Sequence, residues 1–183
     1  MSSSDKFPEE EQIIEKPDIL YHGSIMKDLK VIEPKDHNYR DPHEGALIFA
    51  APDLALATIF ITKRHHSGYF NDVPFIVIDE HRESFIKKDK GGAVYVLSSE
   101  NFKCDSKKGM QHKEWTCDIK VKPKEKIDYP STLDAMLENG VQVYFVDNKT
   151  YEQVKSSDDG GLAILKDLKS ENEERQLNYK TLP

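Results

Sequence analysis

Short apolar or alternating runs punctuate the middle of the chain. They are Ile19 to His22 (ILYH), Ala46 to Ala51 (ALIFAA), Phe75 to Ile78 (FIVI), Ala93 to Leu97 (AVYVL), Trp115 to Val121 (WTCDIKV) and Val141 to Val146 (VQVYFV). Each has the length and the β-branched or aromatic content of a strand, and Pro, Gly, Asn and Asp separate them. Two stretches carry helical spacing instead: Asp53 to Lys63 after Pro52, and Thr132 to Glu138, which Asn139-Gly140 stops. Several strands and few helices predict an α+β domain with mainly antiparallel pairing.

The pattern changes at both ends. Residues 1–18 (MSSSDKFPEEEQIIEKPD) hold two prolines and a three-Glu run, too few apolar side chains to offset the entropy of ordering, so a flexible acidic arm is expected. The domain core then covers residues 19–151. In residues 152–183, Leu162, Leu165 and Leu168 recur at helical spacing before a polar run, which predicts a short docked helix and a polar tail.

Charge follows the same division. The chain has 183 residues and a net charge of −7. Its first 18 residues hold six acids against two bases and residues 152–183 hold seven against five, which leaves −1 for the core. Acidity therefore belongs to the ends and does not describe the core surface. Within the core, Lys87 to Lys126 carries eleven lysines against six acids. Without clustered arginines and aromatics, that patch reads as a solvated face ahead of a nucleic-acid site.

Length fits one domain with a cleft. The apolar run Ala46 to Ala51 is far shorter than the roughly 20 residues that cross a bilayer, and no signal peptide is readable. The expectation is a protein with no membrane contact, in the cytoplasm or delivered into a host cell without a readable signal. Cys104 and Cys117 lack disulfide-framework or zinc spacing and are expected to be reduced. His65-His66 have no acidic or Cys partner at ligand spacing, so no metal is expected.

The strongest chemical pattern opens the core: Leu20-Tyr21-His22-Gly23-Ser24, a strand that delivers a histidine and ends in a glycine able to let a ligand approach the backbone. A second strand, Leu47-Ile48-Phe49-Ala50, runs into the helix that carries Phe60. Glu114-Trp115 then places a carboxylate at the start of a late strand. Arg40, a plausible phosphate or adenine contact, and Tyr69 lie in loops able to border a cleft.

Together these pieces resemble the ADP-ribosyltransferase fold of the poly-ADP-ribose polymerases and the related bacterial mono-ADP-ribosyltransferase toxins. In that family a first strand ends in His-Gly-Ser, a second of the form Ile-Tyr-Phe-Ala feeds a helix whose aromatic stacks on nicotinamide, and a catalytic Glu begins a late strand before an aromatic. The resemblance covers roughly residues 19–150. It implies two mainly antiparallel sheets with few helices around an NAD cleft, with NAD as substrate and a protein or nucleic-acid acceptor. Glu114 would hydrogen-bond a ribose hydroxyl and orient or deprotonate the acceptor, and His22 would hold the other ribose. The Gly23 backbone would grip the nicotinamide amide next to Ser24, and Phe60 would stack on the ring.

Ile48 and Phe60 stand where the polymerases have Tyr, which keeps a second reading open: a non-catalytic module that binds NAD, ADP-ribose or a protein. A second register aligns Val141 to Asp147 with the last motif and puts Gln142, which cannot ionise, in the catalytic slot. Phe60 also recurs with Leu56 and Ile59 on an apolar face, so core packing is its plain alternative. Removal of an RNA 2′-phosphate ranks last, because Arg40, Arg64, Arg82 and Arg175 are scattered along the chain.

Overall fold

The computed structural model describes residues 15–36, 43–63, 65–104 and 113–180, so most of the expected N-terminal arm lies outside the described residues. Strand β1 (Ile19–Ser24) pairs antiparallel with β6 (Gly92–Ser98), which pairs antiparallel with β8 (Glu125–Tyr129). A second sheet has β3 (Ala46–Ala50) between β2 (Lys35–Asp36) and β7 (Trp115–Cys117). The third joins the hairpin β4 (His65–Phe70) and β5 (Val73–Asp79) to β9 (Gln142–Val146), which runs parallel to β5. The architecture is mixed α+β. It has three small sheets in place of the two expected, and β5–β9 departs from antiparallel pairing.

A bridge between Tyr21 and Ala51 ties the first sheet to the second. On one side of this joined surface, Leu20, Ile48, Ala50, Tyr95, Leu97, Trp115 and Cys117 form one core cluster. Tyr95 is buried there with its hydroxyl satisfied: it donates to Met26 O at 2.7 Å and accepts from Leu29 N at 3.0 Å. On the other side lies α1 (Leu54–Ile59), begun by Asp53, whose carboxylate accepts from Ala55 N at 2.9 Å. Pro52 therefore sits just outside the first turn, not at its first helical position.

Helix α1 is buried on every side. Ala57 faces the first sheet while Leu56 and Ile59 face β5 and β9, so the helix separates the sheets and holds them together. Only a helix apolar all round can occupy that position. Beside it packs α3 (Thr132–Glu138), whose start is fixed by Asp89, which accepts from Thr132 N at 2.9 Å and Leu133 N at 3.1 Å. Burial of Asp89 opposes its charge, but these amide hydrogen bonds hold its carboxyl below the usual range. Strand β5 is buried on both faces, with Ile76 and Ile78 toward α1 and Phe75 and Val77 toward α4 (Asn148–Ser156) and α5 (Leu162–Leu165).

Beyond the expected helices stand α2 (Arg82–Lys88), α4 and α6 (Glu171–Lys180). The α6 segment read as polar tail, and ion pairs hold it where leucines do not. Glu171, with its side chain 2% exposed, accepts from Arg82 Nε at 2.7 Å and from Arg175 Nε at 3.0 Å. Asn172 imitates a neighbouring strand, donating to Val141 O at 3.0 Å and accepting from Val143 N at 3.2 Å. Burial alone would raise the Glu171 carboxyl; the two guanidinium groups hold it below the usual range. Glu171→Ala is expected to cost about 2–3 kcal/mol, because it strands both arginines beside a buried site. A urea midpoint unchanged from wild type would show that this cluster contributes nothing.

No helix among the described residues is long and apolar enough to cross a membrane. In the lysine-rich segment, Lys88, Lys113, Lys120 and Lys126 pair with Glu80, Asp72, Glu33 and Asp128, as a solvated face would.

Candidate active site

Tyr21 and Ala51 exchange both backbone hydrogen bonds, at 2.7 and 2.9 Å, and the bridge they form is isolated. One residue further on, the His22 ring fills the space where β1 and β3 part, its Nδ1 2.7 Å from Phe49 O. A carbonyl can only accept, so Nδ1 carries the hydrogen, and in neutral imidazole Nε2 keeps the lone pair. Gly23 lies directly against α1: a Cβ here would stand 1.9 Å from Ala57 O. Ser24 turns the chain away, its hydroxyl accepting from Met26 N at 3.1 Å.

Glu114 reaches the same level of the sheet from the far side. The β3–β7 register ends with Ala50 paired to Trp115, and Ala51 and Glu114 are the next residues on the two chains. Glu114 is 8% exposed, and its carbonyl lies 3.6 Å from Cys104 Sγ. The pleat starts Glu114 on the Tyr21 side and His22 on the Leu20 side. The strand pairing therefore starts the two side chains on opposite faces, and the sheet does not by itself bring the expected His22 and Glu114 together.

Phe60 ends α1 as its C-cap and is 36% exposed, whereas Leu56 and Ile59 are fully buried. Its core-packing alternative is thus replaced by an outward ring, which meets His65 edge-on at 6.1 Å. Tyr69 was expected in a loop and lies instead in β4, donating to Asp53 Oδ2 at 3.3 Å with Lys113 Nζ 4.5 Å over its ring. Burial, then the Asp53 charge, pushes the Tyr69 hydroxyl well above its ordinary value. Gln142 begins β9 beside Phe75 in the third sheet, not in the row that contains Glu114. Arg40 lies outside the described residues.

Two residues named in the sequence take roles that their types did not announce. Phe49 supplies the backbone carbonyl that orients His22, a role that no side-chain pattern signals. His65 is the other. Its Nδ1, like Trp115 Nε1, is buried without a hydrogen-bond partner. Burial, reinforced by the charge of His66, pushes His65 down to about 4.

The pH consequence has a definite sign. The folded form prefers neutral His65, so its share of stability is complete above the unfolded value near 6.5 and is lost as pH falls toward 4. His65→Phe is expected to lose about 2–3 kcal/mol less than wild type between pH 7 and 4.5. Equal losses in urea titrations at the two pH values would exclude this source.

Two other features do not join the site. A cavity of about 330 Å³ lies near α2, β9 and α6, with Arg82 and Glu171 in its wall already paired to each other. Among the described residues no His, Cys, Asp and Glu group is placed to hold a metal ion, and Cys104 and Cys117 form no disulfide. No family model matches the chain, and neither curated proteins nor solved structures give a match.

Proposed function

We propose that this protein is an NAD-dependent ADP-ribosyltransferase, or an NAD-cleaving enzyme, working in the opening between β1 and β3. The observation that carries the reading is the His22 ring at the end of β1, its Nδ1 held 2.7 Å from Phe49 O and followed directly by Gly23 and Ser24. A histidine ring held in one orientation suits the binding of a ribose hydroxyl. A buried carboxylate suits a sugar that becomes cationic.

The chemistry follows from those groups. As the bond between ribose and nicotinamide breaks, its electron pair leaves with nicotinamide and positive charge builds on the ribose carbon. Glu114 stabilises that charge as it develops and holds the adjacent hydroxyl. His22 holds the second ribose, and the role left to Gly23 is its backbone alone, since the space beside its Cα is taken by α1. Phe60 offers an exposed ring face at the end of α1. The acceptor then forms the new bond to the ribose carbon; with water in its place, NAD is hydrolysed.

The non-catalytic reading rests on Ile48. It is 2% exposed and packed in the core, so it supplies no hydroxyl in place of the family's Tyr. Nicotinamide release from NAD by the purified protein, with cell lysate added as an acceptor source, separates the two. Release that fails in His22→Ala supports the enzyme. A thermal shift with NAD but no release supports the binding module, and neither response would end both readings.

A further inference from the structure

We infer that the outer edge of β4 receives an extended, acidic stretch of polypeptide as an added strand, and that this stretch is the acceptor. The acceptor role rests on the function proposed above, whereas the strand addition stands apart from it. Strand β4 ends its sheet, with β5 on one side, and among the described residues no strand pairs with its other edge. Six residues in extended form give about 20 Å of backbone whose outward N–H and C=O groups suit another chain.

Proteins commonly blunt such edges with lysine, proline or a bulge. This one has none of these: the strand reads His-His-Ser-Gly-Tyr-Phe, and its ladder with β5 is unbroken from His65–Ile78 to Phe70–Val73. His65 is neutral above pH 4, so the charges facing the edge are those of Asp53 and Asp72 at its Tyr69 end and of Lys113 and Lys166.

The charge near the edge selects the partner. Lys113 Nζ lies 4.5 Å over the Tyr69 ring and Lys166 Nζ 5.5 Å over the Phe70 ring. Tyr69 and Phe70 point to opposite faces, so successive side chains of an added strand would meet one lysine each. Lys113 shares its charge with Asp72 at 3.1 Å, so Lys166 is the stronger attraction. Lys113 is also the neighbour of Glu114, which brings the Tyr69 end of the edge beside the proposed site.

A carboxylate acceptor fits the chemistry as well. The peptide carboxylate oxygen bonds to the ribose carbon while nicotinamide leaves with the electron pair of the broken bond. The acceptor has no proton to lose, and no general base is required.

The test is binding of fluorescent eight-residue peptides of alternating Thr and Val with one central Glu to the full chain. The Glu peptide should bind at least about tenfold more tightly than its Lys counterpart, and Lys166→Glu should narrow or invert that preference. N-methylation at alternate residues in one register should abolish binding and in the other leave it intact, the signature of strand addition. Equal tolerance of both registers, no binding by any peptide, or a dimer of the chain that excludes the peptide would overturn the inference. Peptide binding without nicotinamide release would retain the edge site and discard the enzymatic reading.

Discussion

Glu114→Gln is expected to reduce nicotinamide release from NAD by about 10²–10³-fold while the fold survives. The exchange keeps the shape and removes the charge. A group that stabilises developing charge in a closed site typically contributes that much, and a neutral amide cannot replace a carboxylate beside a cationic sugar. The exchange conserves side-chain volume at a site 8% exposed, and a thermal melt run beside the assay separates lost chemistry from lost folding. Glu125→Gln, on the exposed strand β8, is the control and should keep wild-type rates. Retention of half the activity by Glu114→Gln would remove the residue from the mechanism.

Gly23→Ala is expected to be the most damaging single methyl in the first sheet. The added carbon would stand 1.9 Å from Ala57 O, 3.1 Å from Ala57 C and 3.2 Å from Ile61 N. All three are backbone atoms of α1 or its end, so no side-chain rotation relieves the contact. Nor can the helix retreat, since Leu56 and Ile59 are packed to zero exposure against the third sheet. Overpacking of this kind costs about 3 kcal/mol or more, roughly 6–12 °C in Tm for a chain of this size. A Tm within 1 °C of wild type would mean that α1 does not rest on β1 as described.

How much of this was legible depended on what holds each element. Strands β1, β3, β5, β6 and β9 announce themselves because their buried side chains form apolar runs. Strand β8, Glu-Lys-Ile-Asp-Tyr, is held by its ladder with β6 while most of its side chains face water, so hydropathy is silent there. Strand β4 likewise has no apolar alternation. Helix α2 buries only Phe85, and α6 is held by Glu171 and Asn172 through groups 29 or more residues distant, which no local pattern encodes.

The site divides in the same way. His22, Gly23 and Glu114 stand out as residue types in a local order, and the level that Glu114 reaches beside Ala51 follows only from strand pairing. The part played by Phe49 is invisible in its side chain, because its backbone carbonyl fixes the His22 tautomer.

Trp115 follows Glu114 directly, is 5% exposed, and is the chain's one tryptophan. Its indole Nε1 has no hydrogen-bond partner. The chain thus carries a single indole, distinguishable from its eight tyrosines by excitation at longer wavelength, buried one residue from the proposed catalytic carboxylate. Its emission reports on that one place without labelling, so ligand arrival at Glu114 and loosening of the surrounding core can be followed by the same optical signal.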